Sequence, residues 1–374
     1  MKKYLLGGLA VLLMSCSAKT EKETESGDLR MIVGCYTDTG SQGLYSFVFD
    51  EENGTFNVLD SCRIDNPSYL TVSEDKEFIY SVSELNSSAS SAVALKFDHA
   101  SGLFKILNSQ KTEGTDPCYI STNGKIVVTA NYGGSMSVFP IEEDGKLGAM
   151  SQFFEGSTGG PDSTRQDTPH IHCAEFSVDG NNLYASDFSA DRLLLYKVEE
   201  GTKIIPMVTD ADHQIAIELQ PDNGPRHIVF DKSGKFAYVI GELSGLVTVL
   251  EKEPSGNEMV VKQEIDADPF VARGSADIHL SPDGKFLYAS NRLNNDGIAI
   301  FKVDEKTGML TKVGYQLTGK HPRNFAISPN GKYLLCACRD TDEIEIYEIN
   351  QETGLLTSCN TSIKLKKPVC IKFC

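Results

Sequence analysis

Three arginines, a histidine and a glutamate recur at matching places in a set of short hairpins. His172, Arg226 and Arg323 each stand eight residues before a turn, and Glu242 and Arg292 each stand eight after one. Guanidinium groups hold carboxylates and phosphates through forked hydrogen bonds and stabilise a developing oxyanion. A histidine or carboxylate beside them can take a proton from water. Asn131, Tyr132, Asp187 and Asn291 fall seven or eight residues after their own turns, and His170 lies two before His172. Any one of these residues is more simply a polar group near water. As a set around one opening they suggest a site for an anionic substrate with acid–base chemistry. His170 and His172, two apart on a strand, are expected to share a face, and such a pair can ligate metal. No third ligand is evident, so neither a metal nor another cofactor is expected.

The hairpins belong to a repeat. DKSGKFAYVIGE starts at Asp231, SPDGKFLYASN at Ser281 and SPNGKYLLCAC at Ser328, with related copies at Ser73, Ser121 and Ser177. Their turn positions, Lys76, Gly124, Gly180, Gly234, Gly284 and Gly331, are spaced by 47 to 56 residues. A short apolar strand, usually after a proline, precedes each copy, as in GPRHIVF and HPRNFAI. Most copies are followed by a third strand, a D/E-x-x-G turn and a fourth, as in GIAIFKVDEKTGMLTKV. Four strands per repeat of this length predict an all-β propeller. The C-terminal KKPVCIKFC is a first strand without successors. MIVGCYT, GLYSFVFD and TFNVLDSC near the N-terminus are strands two to four without a first. Together they make a seventh blade that closes the ring and leaves no free edge. In such a ring the start of each first strand and the end of each second strand meet at one channel mouth, so the repeat gathers the candidate residues there.

The remaining sequence sets bounds. The chain has 374 residues and a formal net charge of −17, which disfavours nucleic acid and anionic lipid as partners. Residues 1–15 have two lysines followed by a short apolar run, the pattern of a signal peptide too short to span a bilayer. Leu13-Met14-Ser15-Cys16 resembles a bacterial lipobox, which implies acylation of Cys16, export and a lipid anchor in the cell envelope. Residues 16–29 read as a flexible polar tether and 30–374 as the propeller domain. Nine cysteines remain, an odd number without CxxC pairs; most read as small buried apolar residues, and one or two bridges stay open.

With these motifs in order, the chain resembles the bacterial seven-bladed propeller lactonases, a family that includes propeller-type 6-phosphogluconolactonases and carboxymuconate cyclases. Asn131-Tyr132-Gly133-Gly134, PHIHCAEFS around His172, GPRHIVF at Arg226, Glu242, the run from Ala276 to Arg292, and HPRNFAISPNGKYL carry the resemblance. It implies a catalytic set of His172, Arg226, Glu242 and Arg292; Asn131, Tyr132, His170, Asp187, Asn291 and Arg323, by their places at the mouth, are expected around the substrate. Glu242 or His172 would activate water, and the arginines would hold the anion and the oxyanion. The implied activity is opening of a small anionic lactone, the 6-phospho sugar lactone first among them. A lactonising enzyme run in the opposite sense, and a non-catalytic propeller binding a glycan or protein, are the alternatives; the absence of tryptophan weighs against carbohydrate stacking. An exported location sits awkwardly with a cytoplasmic sugar phosphate. A monomer or weak dimer is expected.

Overall fold

The computed structural model describes residues 28–209, 213–253 and 259–374. The signal peptide, Cys16 and the tether up to residue 27 lie outside them. The first strand, Asp28–Cys35, already begins within the expected tether, because Asp28 and Leu29 pair with Asp50 and Phe49.

Seven antiparallel sheets form a ring. Blade 1 is the closing blade: Pro368–Phe373 is its inner strand, followed by Asp28–Cys35, Gly43–Asp50 and Thr55–Arg63. Met31, Ile32, Val33 and Gly34 pair with Phe373, Lys372, Ile371 and Cys370, so the two ends of the chain share one sheet. Blades 2 to 7 follow in chain order, with inner strands Leu70–Val72, Pro117–Thr122, Ile171–Phe176, Pro225–Phe230, Ser275–Leu280 and Pro322–Ile327. In blade 4 an extra short strand, Ala216–Glu218, also pairs with the third strand. The inner strands touch one another in ring order and surround the central channel.

The repeat residues explain the geometry. All six turn positions adopt positive φ, from 62° at Lys76 to 84° at Gly124, a conformation that favours glycine. Ser281 shows the rest of the turn: its hydroxyl donates to Asp283 and accepts from the Phe286 amide. The D/E-x-x-G glycines join neighbouring blades. A Cβ on Gly308 would meet the Phe236 ring at 2.5 Å, and the Gly308 carbonyl accepts from Tyr238 at 3.0 Å. Tyr80 with Gly145 and Tyr288 with Gly354 repeat this contact. Blades 2, 5 and 6 are thus each fastened to the next by a buried tyrosine and a glycine, both legible in the repeat. All nine described cysteines are free thiols, which leaves no disulfide among the described residues.

Candidate active site

Two backbone devices aim side chains at one mouth of the channel. The first is a β-bulge at the start of the inner strands. Pro225 pairs with Gly241 and His227 with Ile240, which leaves Arg226 as the extra residue. The same shift leaves His172 between Ile171 and Cys173, Arg323 between Pro322 and Asn324, and Cys118 between Pro117 and Tyr119. A bulge re-aims the extra side chain. The second device is the end of the second strand. These strands stop at Cys35, Ser83, Asn131, Asp187, Gly241, Asn291 and Cys338. The next residues are Tyr36, Glu84, Tyr132, Phe188, Glu242, Arg292 and Arg339. At Asn131 and Asn291 the last strand residue is bonded within its blade, and the residue after it, Tyr132 or Arg292, turns to the mouth.

This alternation divides the expected residues. Asn131, Asp187 and Asn291, expected beside the substrate, are fully buried with their side chains bonded to neighbouring strands and loops. Asn131 donates to Ser135 and Ser137, and Asn291 accepts from Ser275 and donates to the Ala267 carbonyl. Asp187 accepts from Ser157 and pairs with Arg192 at 3.3 Å. These residues hold strands and a loop in place. His170 and His172 do not share a strand face either, because the strand begins at Ile171 and His172 is its bulged residue.

Glu242 is the centre of the site. Its Oε2 lies 3.0 Å from Arg226 Nε and 3.2 Å from an Arg292 terminal nitrogen, while Oε1 lies 2.7 Å from Arg165. Burial pushes the Glu242 carboxyl up, but Arg292, Arg226 and Arg165 outweigh it and hold it down at about 2. One carboxylate among three guanidiniums leaves a local excess of two positive charges. An acidic protein therefore carries a basic mouth.

Arg226 and Arg292 have little freedom. A terminal Arg226 nitrogen donates to the Ala276 carbonyl at 2.5 Å and lies 3.2 Å from His227 Nε2. Burial and Arg226 hold His227 down at about 3, so its ring is neutral. Its Nδ1–H then donates to Asp277 at 2.7 Å, and Nε2 accepts from Arg226. Arg292 donates to the carbonyls of Gly274 and Ser275, and to His321 Nε2 at 3.3 Å. Burial with Arg292, Arg339 and Arg323 keeps His321 at about 2, and the neutral ring can accept that bond.

The other expected residues cluster nearby. His172 is buried and held well below its ordinary value, by burial first and then by Arg226, His227 and Arg323; its Nδ1 lies 3.8 Å from the Cys118 thiol. Tyr132 meets both histidines, stacked on His170 at 4.0 Å and edge-on to His172 at 5.6 Å. His170 Nδ1 donates to the Tyr132 carbonyl at 2.5 Å. Arg323 faces Glu84 at 3.9 Å and lies over Tyr36, whose hydroxyl donates to Glu84.

Sequence reasoning missed Arg165. It lies on the long connection between blades 3 and 4, in the largest of the repeat steps, and belongs to no repeat position. That irregular spacing was the available signal. Arg165 also lies over the Phe188 ring at 5.4 Å and reaches the Tyr132 hydroxyl at 3.4 Å. The opposite end of the channel holds a separate cavity of about 450 Å³ with Tyr69, Tyr119, Glu175 and Lys372 in its wall. Tyr69 and Tyr119, stacked at 4.2 Å, and the His227–Asp277 pair line that cavity, and Glu242 and Arg292 do not.

Comparison with known proteins gives a consistent picture. A family model described as a seven-bladed β-propeller lactonase matches residues 30–373. A 6-phosphogluconolactonase of Bacillus subtilis (strain 168) is 35% identical, over 91% of this chain and 97% of its own length. The crystal structure of a candidate 6-phosphogluconolactonase from Bacteroides uniformis is 50% identical, with a TM-score of 0.90, covering 93% of this chain and all of that one. The periplasmic gluconolactonase PpgL of Pseudomonas aeruginosa is 29% identical with a TM-score of 0.86, over 92% of this chain and 99% of its own.

Proposed function

Because the chain belongs to the family of seven-bladed β-propeller lactonases, we propose that it hydrolyses an anionic sugar lactone, with 6-phosphogluconolactone as the first substrate to test. The observation that carries this reading is the single carboxylate, Glu242, among three guanidiniums at the channel mouth. Such a mouth concentrates a negatively charged lactone and offers fixed positive charge where the carbonyl oxygen becomes an oxyanion.

The reaction needs few groups. Water adds to the lactone carbonyl, with its proton passing to Glu242 Oε1. The tetrahedral oxyanion is held by Arg226 and Arg292. The ring C–O bond then breaks, the proton is returned to the departing alkoxide, and the hydroxy acid is released. We assign Glu242 rather than His172 as the base, because Oε1 has only the partly exposed Arg165 upon it, whereas Oε2 is bound by two buried arginines. His172, neutral and buried, would orient the substrate without adding charge. Tyr132, His170 and Arg323 line the approach.

The N-terminal pattern supports export and acylation at Cys16, and PpgL, a structural neighbour, is a periplasmic protein. A Cys16→Ser variant is expected to leave the membrane fraction. The function is tested by acid release from 6-phosphogluconolactone and glucono-δ-lactone, using protein that starts at residue 28. Hydrolysis of at least one well above its spontaneous rate is expected. No acceleration of either would refute the reading.

A further inference from the structure

The three guanidiniums around Glu242 are not equivalent. Arg226 and Arg292 are nearly inaccessible and come from the barrel-like wall of inner strands and strand ends, with side-chain exposures of 1% and 6%; Arg165 comes from a loop and is 36% exposed. Arg226 and Arg292 are also tied to backbone carbonyls and neutral histidines. The hydrogen-bond partners of the Arg165 side chain among the described residues are Glu242 and the Tyr132 hydroxyl, and its guanidinium carbon lies over the Phe188 ring. An arginine seated on an aromatic ring can turn its terminal nitrogens while keeping that contact.

The loop beneath it is firmly held. Asp162 caps the turn, accepting from the Thr164 amide and hydroxyl and from the Arg165 amide at 3.2 Å. Arg273 grips Asp162 at 2.6 Å and Asp222 at 2.6 Å. Gln166 reaches back to Asp191 at 2.7 Å. A fixed backbone with a pivoting side chain is the arrangement for a residue that exchanges one anion for another.

Resting on the lactonase reading, we infer that Arg165 is the substrate's phosphate receptor, and that on binding it leaves Glu242 Oε1 for the phosphate and so uncovers the base. A guanidinium forks onto phosphate as well as onto carboxylate, and Glu242 keeps Arg226 and Arg292 on Oε2 throughout. The charged and titratable groups around Glu242 are Arg165 and Tyr132 from the blade 3 side, Arg226 and Arg292 from blades 5 and 6, and Arg323 from blade 7. Removing one guanidinium from this set makes Oε1 a stronger base. Recognition of the phosphate and activation of water thereby become one event, and a lactone without phosphate leaves the base covered.

The test is calorimetry with 6-phosphogluconate and with gluconate on wild type, Arg165→Met and Arg165→Lys. Arg165 is on a partly exposed loop, and its loss leaves Glu242 paired with two arginines, so the variants are expected to fold. The expected result is at least tenfold weaker 6-phosphogluconate binding in Arg165→Met, partial recovery in Arg165→Lys, and gluconate affinity changed less than twofold. Equal affinity of wild type and Arg165→Met for 6-phosphogluconate, an equal loss for both ligands, or no binding of 6-phosphogluconate to wild type would each overturn it. Kinetics supply a readout that a structural role would not move: the acid limb of kcat is expected above that of kcat/KM in wild type, and the two should coincide in Arg165→Met. Failure of the function shows separately, as a wild type that binds 6-phosphogluconate through Arg165 but opens neither lactone.

Discussion

Arg226 Nε donates to Glu242 Oε2 at 3.0 Å from the far end of the same hairpin, sixteen residues away in sequence. The bulge at Arg226 and the strand end at Gly241 bring the two together. A flat, unbulged hairpin would turn Arg226 or its neighbour His227 away from the channel. The pair is therefore built by an irregularity in the backbone.

Glu242 should make the fold acid-sensitive. Its carboxyl titrates at about 2 in the folded chain against an ordinary 4.5, so ionisation favours the folded state. That contribution is complete above about pH 4.5 and is lost as the pH falls towards 2. The displacement corresponds to about 3 kcal/mol. Urea unfolding should show Glu242→Gln less stable than wild type by roughly this amount at pH 7, with the gap closing between pH 4.5 and 2. A gap that is constant across this range would contradict the assignment.

Arg226 should not tolerate lysine. Its guanidinium spans Glu242, the Ala276 carbonyl and His227 at once, and a single ammonium cannot match that fork. Arg226→Lys and Arg226→Met are both expected to lower kcat by roughly a hundredfold or more, as loss of an oxyanion donor does. Steady-state hydrolysis measures this, and a lysine variant with near wild-type turnover would remove Arg226 from the chemistry.

The ring and the four-stranded blades were legible in the sequence because turn chemistry repeats: positive φ at Gly124 to Gly331, serine-capped turns, and tyrosines that meet D/E-x-x-G glycines. The register that gathered His172, Arg226, Arg292 and Glu242 was legible for the same reason. Which neighbour faces the mouth was not. Asn131 and Tyr132, or Asn291 and Arg292, are adjacent and equally polar, and only the position of the strand end separates them. At Arg226 the register and the proline before it did favour the right neighbour over His227, and the bulge is what turns that side chain to the mouth. Arg165 was hidden for a different reason. It lies in an insertion, where repeat register has no meaning and only a folded loop can state the distance to Glu242.

Asp277 is expected to matter although it touches no substrate. Its Oδ1 accepts from His227, and its Oδ2 accepts from His279, Asn324 and the Phe325 amide, at 1% exposure. An amide at this position would turn a donor towards donors on one side or the other. Asp277→Asn should cost about 3 kcal/mol, in the range for breaking a buried charged network. By releasing His227 it should also loosen Arg226, so kcat should fall in parallel. A variant that loses stability but keeps full turnover in the folded fraction would break the proposed link between Asp277 and Arg226.

Arg273 separates positioning from chemistry. It holds the Arg165 loop through Asp162 and Asp222 but comes from the loop between blades 5 and 6, and no hydrogen bond or ion pair joins its side chain to Glu242 among the described residues. Its side chain is 38% exposed, so its ion pairs should contribute little to stability, on the order of 1 kcal/mol or less. Small misplacements of a binding group are nevertheless costly to recognition. In Arg273→Ala the loop should drift and carry Arg165 away from its anion. KM for the phosphorylated lactone is expected to rise roughly fivefold, with kcat nearly unchanged and the unfolding midpoint within a degree or two of wild type. In the Arg165→Met background the Arg273→Ala change should then produce no further rise, because the two substitutions act through the same guanidinium. Additive effects in the double variant would mean that Arg273 meets the substrate by its own route, and KM measurements on the four proteins decide it.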